Sequence, residues 1–297
     1  MGVDSEFVIA LLGNFPADQP GEIAKLWPAL AARILRHEFV PAGTVASCAC
    51  HRYWINTRSD LAEVRRRLCG LRTLYDVAAI PATSHKLKPR LIAFDLDSTL
   101  IRVEVIDELA RMAGVGDQVK LLTEAAMRGE IDFQQAFRRR IALLKGLDEQ
   151  RCLDLLDEIA FTDGAERLIR TLHASGCKVA VLSGGFSFVS DWLKQKLPID
   201  FALTNRLPIF DGYVTGEAIE PIVDGPAKAK AFREFAEANG IPLQQAVAVG
   251  DGANDLPMMK LAGLSVAFKA KPRVREQADV ALSHVGLDGI LHLIRAM

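Results

Sequence analysis

With 297 residues, half hydrophobic and a quarter charged, the chain suits one large domain or two ordinary ones and has a globular protein's make-up. Its 36 basic and 37 acidic residues leave a formal net charge of −1. That balance excludes the basic excess expected of a nucleic-acid or anionic-membrane partner, while small phosphorylated metabolites, which need only a few local cations, stay allowed.

In chain order, residues 7–12 form an apolar run that reads as a strand. With Asp4 and Glu6 around it, the run is too short and wrongly charged for a signal peptide. Residues 22–35 read as an amphipathic helix, 45–55 as a strand, 61–71 as a helix and 75–80 as a last short strand. That order predicts a small α+β sandwich with helices on one face of a sheet. A polar, proline-bounded connector at 81–90 divides the chain into residues 1–85 and 86–297.

Beyond the connector, residues 91–95, 178–182 and 246–250 are short, continuously apolar runs, each followed at once by Ser or Asp in a polar turn. Residues 264–268 and 280–282 read as further strands, with helical stretches between most of them. The pattern predicts an α/β fold, a doubly wound, Rossmann-like parallel sheet. Residues 206–210 and 213–216, joined by Asp211-Gly212, read as a hairpin beside it. A helical insert, at about 104–160, separates the first two parallel strands and would cap the strand ends as a lid. No apolar run reaches the roughly 18 residues of a membrane span. The five cysteines (Cys48, Cys50, Cys69, Cys152 and Cys177) fit reduced thiols, so a cytoplasmic location is expected.

Ligands of open parallel sheets bind at the carboxyl ends of the strands, so the polar residues there are read as one site. The first end gives Asp95-Leu96-Asp97-Ser98-Thr99. Two carboxylates after a buried strand suit phosphoryl transfer: one attacks phosphorus and holds a metal, the other gives and takes a proton. A loop whose Asp and Ser cap the next helix is the plainer alternative on these residues alone. The third end, Gly250-Asp251-Gly252-Ala253-Asn254-Asp255, adds the oxygen ligands Asp251 and Asp255. Hard oxygen ligands without His or Cys favour Mg2+ over zinc or copper. Ser183-Gly184-Gly185 offers a hydroxyl and backbone N–H groups as an anion cradle, and Lys228, early in a helix, could neutralise phosphate.

These four segments, in this order, resemble the haloacid dehalogenase-like hydrolases, with Asp95–Thr99, Ser183, Lys228 and 250–255 matching the four family motifs. The match runs from about residue 91 to the end of the chain and is narrowest with the phosphoserine phosphatases. That resemblance implies hydrolysis of free phosphoserine, the last step of serine biosynthesis, through an aspartyl-phosphate. Asp95 would be the nucleophile and Asp97 the general acid and base. Mg2+ would sit on Asp95, Asp251 and the main-chain carbonyl of Asp97, supported by Asp255, with Asn254 positioning groups around it. Ser183, Gly184 and Lys228 would hold phosphate. Glu104 would take the substrate ammonium and Arg140 its carboxylate, with Met127 and Phe133 fencing the pocket. On the residues alone, Glu104 could simply begin a helix and Arg138–Arg140 could be a solvated face.

Residues 1–85 lie outside that match. Their element order is similar to ACT-like amino-acid-binding modules, with homodimerisation or plain structural support equally open. Two competing functions are a related phosphatase or phosphotransferase for another small phosphate, and a serine-sensing regulator with an idle catalytic half. Cys48-Ala49-Cys50-His51 lacks a fourth metal ligand and reads as buried thiols. His173, His284 and His292 read as helix-surface residues, and Arg65-Arg66-Arg67 as an exposed helix face.

Overall fold

The computed structural model describes residues 5–15, 26–68, 75–85 and 88–294. The N-terminal part is a four-stranded antiparallel sheet of β1 (Ser5–Gly13), β2 (Arg33–Val40), β3 (Ala49–Thr57) and β4 (Asp76–Pro81), in the order β2-β3-β1-β4. The predicted helix at 22–35 is contradicted at its end. Residues 22–25 lie outside the described residues, Leu26–Ala29 make one helical turn, and Arg33 onward is strand β2. This edge strand is exposed over most of its length, so it lacks the alternation that marks a half-buried strand. The strand expected from residue 45 begins only at Ala49. The helix expected over 61–71 is described as Leu61–Leu68.

One face of this sheet, with Ile9, Leu11, Tyr53, Ile55 and Val77, packs against Trp27, Leu30, Val64 and Leu68. The other face, with Val8, Ala10, Leu12, Cys50, Ala78 and Ile80, belongs to the same apolar core as Val285, Leu287 and Leu291 near the other end of the chain. Burial on both sides explains why β1 is continuously apolar. Polar bonds fix the junction. Asp76 accepts from the backbone N–H groups of Ser283, His284 and Val285 at 2.7, 2.8 and 2.9 Å. Asp288 accepts from the N–H and hydroxyl of Ser47 at 2.6 and 2.8 Å. Arg52 donates to the carbonyl of His292, whose ring is buried and lies 3.1 Å from the carbonyl of Cys48. His292 is therefore an interior residue, not the surface histidine the sequence suggested. Arg65, too, is partly covered and reaches Asp279.

Asp76→Ala removes the shared acceptor of three N–H groups, of which that of Val285 is buried. Charged hydrogen bonds of this kind are worth about 1.5–3 kcal/mol each and are not additive, so a loss of about 3 kcal/mol is expected. Urea unfolding of the variant against the wild-type chain measures it.

The second part holds a six-stranded parallel sheet: β5 (Leu91–Phe94), β6 (Lys178–Phe186), β7 (Phe201–Asn205), β10 (Ala246–Gly250), β11 (Leu264–Phe268) and β12 (Val280–Leu282). Its order is β12-β11-β10-β5-β6-β7. β7 was missed by sequence reading, and the hairpin is shorter than expected, with β8 (Ile209–Phe210) and β9 (Tyr213–Val214) only. Every residue of β5, β10 and β11 is buried, as helices on both faces require. Between β5 and β6 lie the cap helices Val105–Met112, Gly116–Met127, Phe133–Leu143 and Glu149–Glu158. Asp132 and Asp148 cap the last two by accepting from Gln135 and Gln150 backbone N–H. The cap leaves and rejoins the core side by side: Arg102 N–H bonds to Ala160 O at 3.1 Å and Thr162 N–H to Leu100 O at 2.9 Å.

Candidate active site

β5 lies between β10 and β6, and Phe94 pairs with Val249 on one side and Val181 on the other. The chain therefore leaves three neighbouring strands at nearly one level, which brings Asp95, Ser183 and Asp251 together from distant segments. Asp95 is 5% exposed. Its Oδ1 accepts from Leu96 N–H at 2.8 Å and pairs with Lys228 Nζ at 2.9 Å. Asp97 is buried, and its Oδ1 has no hydrogen-bond partner. Its other oxygen would stand 3.0 Å from a Cβ at Gly185, and Ser183 Oγ 3.3 Å from it, so a side chain there would press on both. Ser183 is buried and accepts from Gly185 N–H at 3.0 Å.

Lys228 is fully buried on the helix Gly225–Ala238, capped by Asp224. Glycine at 225 lets that helix come close to the third turn: a Cβ there would lie 2.9 Å from Asn254 O. Lys228 Nζ also pairs with Asp255 Oδ1 at 2.7 Å. Burial opposes its charge, but Asp255 and Asp95 outweigh burial and raise its pKa above the usual lysine value. Asp255 further accepts from the N–H groups of Asp251 and Gly252 at 3.1 and 2.9 Å, which closes the glycine-rich turn.

Carboxylate oxygens of Asp95, Asp251 and Asp255 all lie within 4.8 Å of one another. One ammonium does not balance three carboxylates. Burial first, and then Asp95, pushes Asp251 up to about 7 and Asp255 up to about 6. A crowded set of hard oxygens holding excess negative charge fits a hard divalent cation. Asp97 is also raised well above the ordinary carboxyl value, by burial and then by Glu104 and Asp95. It can therefore keep a proton to donate.

The mouth lies between core and cap. Glu104 accepts from Ser98 Oγ at 2.7 Å. It is reachable by solvent yet enclosed by protein, and that enclosure raises its pKa while the Ser98 bond opposes the rise. Arg140, half-buried, projects from the cap helix Phe133–Leu143; its pKa is lowered by burial and supported by the charges of Asp107, Glu104 and Asp97. Phe133 packs so closely on Gly184 that a Cβ there would lie 3.1 Å from its ring. Asn254, half-buried, lies in the third turn. Met127 ends the helix Gly116–Met127, and its side chain lies outside the described residues.

Residues 89–263 match the sequence profile of the haloacid dehalogenase-like hydrolases. The chain belongs to that family. The chain is 50% identical over 205 residues to phosphoserine phosphatase SerB2 of Mycobacterium tuberculosis, across 69% of its own length and 50% of the relative. It thus spans about half that relative's length. A crystal structure of the HAD family hydrolase t0658 from Salmonella enterica serovar Typhi aligns with a TM-score of 0.88 at 30% identity, over 98% of each chain. A substrate-bound phosphoserine phosphatase complex aligns at 0.66 with 43% identity, over 70% of this chain and 99% of its own.

Several groups around the site escaped the sequence reading. Asn205, at the end of the unforeseen β7, donates to Gly184 O at 2.8 Å and accepts from Val223 N–H at 2.9 Å. It thereby tethers the second strand end to the segment before the Lys228 helix. Gln134 of the cap donates to Asp224 at 2.9 Å, and Arg138 pairs with Glu220 at 2.5 Å, so the same cap helix is latched to the core twice. Arg138 is thus engaged with the core rather than part of a free basic face. The cis peptide at Glu220-Pro221 lies in this latched segment.

Proposed function

We propose that the chain is a magnesium-dependent phosphoserine phosphatase. The observation that carries the reading is the convergence of Asp95, Asp97, Ser183, Lys228, Asp251 and Asp255, with Glu104 and Arg140 as opposite charges at the mouth. The phosphoserine phosphatase names of the relatives support the substrate.

Asp95, Asp251 and the main-chain carbonyl of Asp97 would hold the cation, with Asp255 supporting them. When bound, the ion offsets phosphate charge, as expected where positioning and electrostatics carry most of the catalysis. Glu104 receives the substrate ammonium and Arg140 grips its carboxylate with parallel bonds. Phe133 excludes water from one side, and Asn254 positions groups at the third turn. Lys228, Ser183 and Gly184 hold the phosphoryl oxygens. The contacts of Asp95 with Lys228 and Leu96 fall on Oδ1, which leaves Oδ2 to attack phosphorus. The phosphorus–oxygen bond to serine breaks as Asp97 gives its proton to the leaving oxygen. Asp97 then takes a proton from a water whose oxygen attacks phosphorus, releasing inorganic phosphate and restoring Asp95. The balanced charge and the buried free thiols Cys48, Cys50, Cys152 and Cys177 support a reducing, cytoplasmic setting.

Phosphate release from phosphoserine, abolished by a chelator and restored by magnesium, is the direct test; no release from phosphoserine under either condition sinks the reading. Arg140→Ala is expected to lower kcat/KM for phosphoserine about 100-fold, and that for phosphoethanolamine, which lacks a carboxylate, by about three-fold or less. Equal losses on both substrates would remove Arg140 from the carboxylate contact.

A further inference from the structure

The segment that leads into the Lys228 helix is held by the cap along its length. Upstream, the hairpin of β8 and β9 is stitched to the turn that joins the last two cap helices. Gly146 N–H bonds to Val214 O at 2.8 Å, Val214 N–H to Leu147 O at 2.9 Å and Glu149 N–H to Gly212 O at 2.9 Å. Further on, Glu220 accepts from Arg138 Nε at 3.0 Å, and its second oxygen accepts from Ile222 N–H at 3.2 Å. Last comes Asp224, which divides its oxygens between cap and core. Oδ2 accepts from Gln134 Nε2 at 2.9 Å, while Oδ1 accepts from Ala227 N–H at 3.0 Å in the first turn of the Lys228 helix.

The Gln134 amide is fixed at both ends. Its oxygen accepts from Arg138 Nη2 at 3.2 Å, so its nitrogen faces the Asp224 carboxylate as a donor. Gln134 and Asp224 are both half-buried, and a charged hydrogen bond there is stronger than one in open water. Arg138 and Glu220 are exposed, and exposed pairs hold weakly, so Gln134 carries the junction. Gln134 stands less than two turns before Arg140 on one helix, and Asp224 four residues before Lys228 at the start of the other. The bond therefore joins the helices that carry the two groups assigned to opposite ends of the substrate. A substrate one methylene longer needs a wider span, and a misplacement of about 1 Å is enough to cost about 100-fold in rate.

We propose that Gln134 is a specificity-determining positioning residue, whose bond to Asp224 sets the span between Arg140 and Lys228 and so selects the length of the phosphorylated amino acid. It acts through Asp224 and takes no part in bond breaking. The proposal rests on the reading of the site as a phosphoserine phosphatase.

The test uses the full chain with magnesium, the variant Gln134→Ala, and the swapped pair Gln134→Glu with Asp224→Asn. In the swap the asparagine amide donates to the glutamate while its oxygen still accepts from Ala227 N–H, so the bond returns with donor and acceptor exchanged. The readout is the ratio of kcat/KM for phosphoserine to that for phosphohomoserine, which is one methylene longer. Gln134→Ala is expected to lower this ratio about ten-fold, and the swap to bring it back within about three-fold of wild type. A purely structural role would lower both rates together. An unchanged ratio, a swap that fails to restore it, or a wild-type chain that hydrolyses both substrates equally overturns the proposal. Amide hydrogen exchange over residues 217–228, expected to quicken about five-fold in metal-free Gln134→Ala, reads the loosened junction without turnover. Failure of the wild-type chain on phosphoserine would sink the substrate reading, whereas exchange equal to that of wild type would sink the role of Gln134.

Discussion

Replacing Asp95 with Asn is expected to cut phosphate release by at least about 1,000-fold while leaving far-UV circular dichroism unchanged. The amide matches the carboxylate in size and can still accept from Lys228 and from Leu96 N–H, so the local packing survives. What disappears is the negative oxygen that attacks phosphorus in the proposed mechanism, together with one of the three clustered acids. Asp95 helps to raise Asp97, Asp251 and Asp255, so removing its charge relieves repulsion within the cluster. The metal-free variant at neutral pH should therefore melt no lower than the wild type. Substantial turnover with a clean fold would take the nucleophile's role away from Asp95.

The part of this site that sequence could show is the part built on strand ends. A short apolar run such as Leu91–Phe94 has no alternation because both its faces are buried, and the acid that follows it has no packing reason to be there. Asp95, Ser183 and Asp251 were legible for that reason. Lys228 was legible only beside them, since a lysine on a helix is ordinarily solvated, whereas this one is enclosed between two carboxylates.

What sequence could not show depends on contacts between distant segments. Asn205 escaped notice because β7 is partly exposed and lacks a strong apolar run. Gln134 and Asp224 carry no sign of each other until the cap is laid on the core. β2 escaped notice because an exposed edge strand keeps polar residues on both faces, a pattern close to that of a solvated helix. The docking of the N-terminal sheet was written more plainly than its position suggested: β1 is apolar on both faces, and only a sheet covered on both sides needs that.

The second large effect concerns Lys228→Met, which fills similar space without charge. Removing one partner of a buried ion pair typically costs about 3–5 kcal/mol, because the carboxylate left behind is neither solvated nor paired. Here two carboxylates lose the same ammonium, but they can respond by taking up protons. Asp255 already stands at about 6, and losing Lys228 moves it further up. A carboxyl whose folded pKa lies above its unfolded value favours the folded state at low pH, and that advantage is lost as pH rises through the folded pKa. The difference in melting temperature between wild type and variant should therefore be small near pH 5 and largest near pH 8. On the proposed reading, phosphoserine hydrolysis should be lost throughout, since the variant lacks the Lys228 ammonium that would meet the phosphate. A stability gap that stayed constant across this pH range would mean that Lys228 acts through packing, and the electrostatic account of the cluster would fail with it.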